Sequence, residues 1–253
     1  MDLGLADRVY VLTGASRGLG YATAECLVAD GARVVVSSRD HEHVAEAVQK
    51  LGGEGRALGV AADLADSATA ERLVHIATEA FGRLDGALIS VGGPPRGTAA
   101  QVSDDQWRAS FETVFLGAVR AARTVAAALD RGGAIGLVLS SSARSPIAEL
   151  GISNGLRPGL AGVAKDMADE YAPRGIRVVS LLPHRILTDR NRELFAATGD
   201  AARARAEAEA AIPMRRLGDP AEFGRVAAFL LSPAAGYLTG LSVPVDGGAV
   251  RSL

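Results

Sequence analysis

The chain has 253 residues, 48% hydrophobic and 22% charged, with 27 Lys and Arg against 29 Asp and Glu for a net charge of -2. That balance excludes an electrostatically driven nucleic-acid or membrane-surface binder, and the length is ample for a large core. A single cysteine, Cys26, excludes an internal disulfide and points to a reducing compartment.

The first residues lack a basic stretch followed by an apolar one, so no signal peptide is read there. No apolar run approaches the roughly 18 residues that a membrane span needs. The expectation is a soluble, cytoplasmic protein with no membrane or nucleic-acid partner.

In chain order, short β-branched runs alternate with Ala-rich amphipathic stretches. Strands are predicted at 8–13, 33–37, 56–61, 86–90, 135–140, 177–182 and 242–245. Helices are predicted at 18–30, 41–51, 67–81, 104–130, 156–172 and 220–231. Runs such as Val34-Val35-Val36 and Leu137-Val138-Leu139 do not alternate with polar residues, which marks strands covered on both faces. Repeated strand–helix order then gives a doubly wound α/β fold, a parallel sheet with helices on both faces, as one domain over 1–253. The segment 188–218 stands outside the alternation. Its stretch 200–211 is helical by propensity, and an insertion past a strand's C-terminal end is where such folds carry a substrate-side lid.

The first strand runs into Thr13-Gly14-Ala15-Ser16-Arg17-Gly18-Leu19-Gly20 and then a helix. Gly14, Gly18 and Gly20 permit a tight turn and a close approach to a pyrophosphate, with Ser16, Arg17 and Leu19 lining it. The helix N-terminus adds N–H donors and a positive dipole end. No Gly-Lys-Ser/Thr follows, so this is not a P-loop. The second strand ends Ser37-Ser38-Arg39, where an NAD-selective site places a carboxylate on the ribose 2′-hydroxyl. Arg39 and Arg17 instead suit a 2′-phosphate, so NADP(H) is read as preferred over NAD(H). Asp40 falls one residue too late for the ribose. His41 and His43 have no further ligands at metal-binding spacing and are read as solvated.

With these motifs the sequence resembles the short-chain dehydrogenase/reductase family over nearly its whole length, closest to the 3-oxoacyl-carrier-protein reductase branch. Asp63 and Leu64 are similar to the family's adenine-contacting pair. Ile89-Ser90-Val91-Gly92, followed by Gly93, stands where Asn-Asn-Ala-Gly is usual. Pro183-His184 replaces Pro-Gly, and Ile186 and Thr188 match the nicotinamide-side Ile-x-Thr. Segments 216–222 and 237–248 resemble the family's C-terminal signatures. The resemblance implies about seven strands, a nicotinamide cofactor, a small-molecule substrate and a homotetramer or homodimer. The family works with an Asn, a Ser, a Tyr and a Lys, the last two spaced Tyr-x-x-x-Lys. Counted from the flanking motifs, these positions hold Val114, Ser140, Ser153 and Arg157, so only the serine is retained.

The chain has only two lysines, Lys50 and Lys165, and neither stands at the expected place; nor does any of its four tyrosines. Ser153 and Arg157 share a helical face if their helix begins early, although Pro158 suits only a first turn. A serine hydroxyl is a far weaker acid than a phenol of pKa about 10. Arg157 supplies fixed charge and can hold ribose oxygens, but relays no proton near neutrality. His184 is the nearest titratable substitute. The alternatives are a backbone-bonded loop histidine for His184, a helix N-cap for Ser153 and a turn serine for Ser140. The leading expectation is an NADP(H)-dependent carbonyl/alcohol oxidoreductase with Ser140, Ser153, Arg157 and His184 as its atypical catalytic set. The competing ones are a catalytically degenerate NADP(H)-binding protein acting through assembly or ligand sensing, and a catalyst of non-redox chemistry.

Overall fold

The computed structural model describes residues 2–130 and 132–251. Seven parallel strands form one sheet in the order β3-β2-β1-β4-β5-β6-β7. They are β1 (Val9–Thr13), β2 (Arg33–Ser38), β3 (Ala57–Ala61), β4 (Gly86–Ile89), β5 (Gly133–Val138), β6 (Ile176–Pro183) and β7 (Ser242–Val245). The helices that return the chain between them are α1 (Gly18–Ala29), α2 (His41–Lys50), α3 (Thr69–Phe81), α4 (Asp104–Ser110), α5 (Gly117–Ala128), α6 (Gly151–Tyr171), α7 (Asp189–Ala196), α8 (Ala201–Ala211) and α9 (Pro220–Leu231).

Val34, Val35 and Val36 are all fully buried, as a strand covered on both faces requires. Along β1 the pleat sends Val9 and Val11 into one core and Tyr10 and Leu12 into the other. The first core is closed by Leu73 of α3, Val125 of α5 and Leu160 of α6. The second is closed by Leu27 of α1, Val48 of α2 and Phe223 of α9.

Three boundaries differ from expectation, each near the carboxyl edge of the sheet. The helix expected over 104–130 is interrupted by a π-helical turn, Phe111–Leu116, which carries Val114. β5 ends at Val138, and Ser140 opens a 3₁₀ turn, Ser141–Ala143. α6 begins at Gly151, which puts Pro158 at its eighth residue and not in its first turn. Long-range bonds hold this early start. The Gly151 N–H donates to the Gly97 carbonyl, and Asn154 both accepts from the Ile147 N–H at 2.9 Å and donates to the Ile147 carbonyl at 2.8 Å. The segment 188–218 forms α7 and α8, the latter capped by Asp200 accepting from the Arg203 N–H. Phe195, Ala208, Ile212 and Leu217 close a small apolar cluster beneath them.

The opposite edge of the sheet is pinned by Asp85. Its carboxylate is 7% exposed and accepts from the Arg8 and Arg83 guanidiniums and from the Val9 N–H. Asp85→Ala strands that N–H, while the arginines can rehydrate. We therefore expect a loss of about 2 kcal/mol in urea denaturation, with little effect on the far edge.

Candidate active site at the carboxyl edge of the sheet

The turn after β1 is a glycine cradle. Gly14 and Gly18 adopt φ of +58° and +62°, and a methyl on Gly14 would lie 2.7 Å from the Ser90 carbonyl oxygen. Only glycine meets both demands at position 14. The Thr13 hydroxyl donates to the Ser90 carbonyl at 2.7 Å and accepts from the Ser90 N–H at 2.9 Å, which ties the ends of β1 and β4 together. The Ala15 N–H donates to the Ser37 carbonyl, fixing the loop to β2. No side chain caps α1, so its first-turn N–H groups are left for a ligand.

A cleft of about 370 Å³ beside this turn is lined by Ser16, Arg17, Gly18, Tyr21, His43, Lys50 and Asp189, among others. Thr188 packs against Gly18, with its methyl 3.7 Å from where a Gly18 side chain would begin. Arg17 and Arg39 are both exposed, on the loops that follow β1 and β2. Asp40 is occupied as the cap of α2, accepting from the His43 N–H at 2.9 Å, and its carboxylate also pairs with the His43 ring. That explains why no carboxylate is offered to a ribose here. Ser38 is half-buried, with its hydroxyl 3.4 Å from the Asp40 carbonyl. Asp63 is exposed and accepts from the Ala65 N–H, while Leu64 is buried beside it at the end of β3.

The reacting end lies where β4, β5 and β6 finish. Ser153 and Arg157 are both buried on one face of α6. Ser153 is the third residue of that helix, whose cap is Leu150, so the N-cap reading fails. Its hydroxyl is 2.9 Å from the Ser142 hydroxyl. Ser140, placed by counting at the catalytic serine, instead accepts from the Ser142 N–H at 3.1 Å and shapes the turn. The hydroxyl facing Ser153 therefore belongs to the residue two further on. Ser141 turns the other way and meets His184 Nδ1 at 2.8 Å. His184 thus bonds through its ring as well as through its N–H, which donates to the Val245 carbonyl. Burial, then the neighbouring Arg185, lowers the His184 pKa below its ordinary value, against an opposing pull from Asp246.

Arg157 is 4% exposed and donates through Nη1 to the Val138 carbonyl at 2.8 Å. Its Nε has no partner. Burial, and secondarily the charge of Arg190, brings its pKa down to about 10, still charged at neutrality. A buried cation with an unmade hydrogen bond is costly for the fold to hold. Pro183, Ile186 and Thr188 follow one another at the end of β6 and beyond, with Ile186 buried and bridged to Gly218. Gly92 and Gly93 lie on the loop after β4, both exposed. The glycine turn and the uncapped start of α1 suit the phosphates of a dinucleotide.

The run Ser140–Ser142 signalled a serine in the sequence but not which one. Arg190, whose guanidinium donates to the Gly93 and Pro94 carbonyls at 3.1 and 3.3 Å, carried no sequence signal at all.

A family model described as enoyl-(acyl carrier protein) reductase matches residues 14–250. Dehydrogenase/reductase SDR family member 4 of Homo sapiens is 33% identical over 98% of this chain and 90% of its own length. Among solved structures, L-sorbose reductase from Gluconobacter frateurii, complexed with NADPH and L-sorbose, superposes with a TM-score of 0.91 at 31% identity, covering both chains fully. A short-chain dehydrogenase/reductase from Brucella melitensis, described as a glucose/ribitol dehydrogenase, gives 0.92 at 29%, again over both whole chains. The chain belongs to the short-chain dehydrogenase/reductase family.

Proposed function

We propose that the protein is an NADP(H)-dependent oxidoreductase that interconverts a carbonyl and an alcohol on a small organic substrate, using a non-standard catalytic set. The observation that carries this reading is Arg157, a buried guanidinium with a free Nε one helical turn from the Ser153–Ser142 hydroxyl pair. The reading places the chain nearest the 3-oxoacyl-carrier-protein reductase branch on the general shape of its motifs. A cytoplasmic homodimer or homotetramer accords with it.

When bound, the cofactor would supply or accept the hydride at the substrate carbon. Gly14, Gly18 and the open start of α1 would receive its pyrophosphate, with Ser16, Leu19 and Gly20 shaping the turn. Arg17 and Arg39 would take the 2′-phosphate, with Ser38 beside it and Asp63 and Leu64 near the adenine. Gly92, Gly93, Pro183, Ile186 and Thr188 would enclose the nicotinamide, and Arg157 would hold its ribose. The Ser153 and Ser142 hydroxyls would hold the substrate oxygen. Neither is acidic enough to donate a proton outright, and Arg157 keeps its proton near neutrality. In the direction of reduction one proton must reach the oxygen for each hydride delivered to carbon; water is its source, and His184, held neutral, could only pass it on by taking another from solvent. The 188–218 segment would act as a lid over this end. A second reading, a cofactor-binding protein without turnover, draws on the missing phenol alone.

The direct test is NADPH oxidation across a panel of aldehydes and ketones. Turnover that falls at least tenfold in Ser153→Ala and His184→Ala supports the reading, whereas NADPH binding without turnover on any carbonyl favours the second. Arg17→Ala with Arg39→Ala should reduce the NADPH-over-NADH preference by about tenfold or more, since each removes a charge-assisted contact. An unchanged ratio would contradict the assignment of the 2′-phosphate.

His184 also gives a pH signature. Its folded pKa lies below the unfolded value of about 6.5, so between the two the unfolded chain binds more protons. Its contribution to stability is complete above about 6.5 and is lost as pH falls through the folded value. Thermal denaturation from pH 8 to 5 should show the wild type losing more stability than His184→Asn. Parallel curves would mean that the imidazole is not held neutral.

A further inference from the structure

Three further arginines stand on the loops after β4 and β6 and at the start of α7. Arg96 lies on the loop after β4, which is anchored to the start of α6 by the Gly97–Leu150 bridge and by the Gly97 N–H donating to the Glu149 carbonyl. Arg185 lies on the loop after β6, held where the Gly218 N–H donates to its carbonyl. Arg190 lies in the first turn of α7 and reaches the loop after β4. Gly93 makes that reach possible, because a side chain there would begin 2.6 Å from Arg190 Nη2.

These groups feel one another. Burial and Arg96 lower the pKa of Arg185. Burial lowers Arg190 as well, with Glu193 opposing and Arg96 assisting. Arg190 in turn acts on Arg157, and Arg185 on His184. Among the described residues no carboxylate lies within ion-pair distance of Arg96, Arg157, Arg185 or Arg190. By contrast the arginines on α4 and α8 are matched with acids on their own helices. The acids facing the cluster are Glu193 beside Arg190 and Asp246 beside His184, and the backbone carbonyls of Gly93 and Pro94 satisfy Arg190 only as neutral acceptors. Like charges on neighbouring loops without a counter-ion, with Arg185 half-buried and Arg96 and Arg190 exposed, favour an anion that enters between them.

We propose that Arg96, Arg185 and Arg190 receive an anionic oxyacid group, a carboxylate or a phosphate monoester, on the substrate, so that the enzyme selects negatively charged carbonyl compounds. This rests on the oxidoreductase reading for the word substrate, but the anion site itself does not. The guanidiniums of Arg96 and Arg185 suit such a group, and Arg190 would join them by exchanging its two neutral carbonyl acceptors, Gly93 and Pro94, for the anion. The proposed pyrophosphate cradle at Gly14–Gly18 is distinct from the Gly93 and Pro94 carbonyls on which Arg190 rests, and the test below separates a role toward substrate from one toward cofactor.

The test has a binding arm and a turnover arm. In the first, calorimetry measures succinate, succinamide and inorganic phosphate against the protein saturated with NADPH. Succinate or phosphate should bind at least about tenfold tighter than succinamide, and Arg190→Gln with Arg96→Gln should abolish that advantage while Arg190→Lys retains most of it. Succinate alone identifies a carboxylate site and phosphate alone a phosphate site. No preference for either anion over succinamide overturns the proposal, whether or not the protein proves to be a reductase. In the second arm, kcat/KM for 4-oxopentanoate should exceed that for its methyl ester about tenfold, and the ratio should fall toward one in Arg190→Gln. Equal use of acid and ester overturns the proposal while leaving the oxidoreductase reading intact. Loss of NADPH affinity in Arg190→Gln, with the acid-to-ester ratio unchanged, would assign the arginine to the cofactor instead.

Discussion

A guanidinium removed from water without a carboxylate beside it is among the costlier things a fold can hold, and Arg157 is such a group. It keeps its charge, makes one hydrogen bond to the end of β5 and leaves Nε free. The surroundings are arranged to hold it there. α6 starts early enough to bring Ser153 and Arg157 under the serine turn because Gly97, Ile147 and Asn154 tie its first residues to neighbouring loops. On the proposed reading, the ribose of a nicotinamide cofactor would be the polar partner for which this charge is kept.

The two edges of the sheet divide the work. At the amino edge Asp85 joins Arg8, Arg83 and the start of β1 in a fully paired network. At the carboxyl edge the chain places glycine turns, a helix start without a cap, a serine turn and unpaired arginines. Parallel strands with helices on both faces produce that asymmetry, because every strand delivers its loop to the same side. Unmatched polar groups collect on the side where a ligand can complete them.

Elements set by local pattern were legible in the sequence. The unbroken apolar strands, the Gly14–Gly20 turn and the helix over 200–211 depend on burial, backbone freedom and propensity that neighbouring residues determine. What was not legible is what distant contacts decide. Counting along the chain points to Ser140; in the structure Ser140 accepts from the Ser142 N–H, and it is the Ser142 hydroxyl that meets Ser153. Pro158 argued against an early helix start, and the bonds from Gly97 and Ile147 overrode it. Arg190 was invisible for the same reason, since it meets Gly93 from 97 residues away.

The central claim is that Arg157 is retained for a bound ligand and not for the fold, and Arg157→Met addresses it directly because methionine fills similar space without charge. Urea denaturation without cofactor and NADPH binding by fluorescence should be measured on the same preparation. The account predicts a variant that is about 1–3 kcal/mol more stable than the wild type when empty, yet binds NADPH at least about tenfold more weakly. A variant that is less stable when empty and binds NADPH as well as the wild type would contradict it.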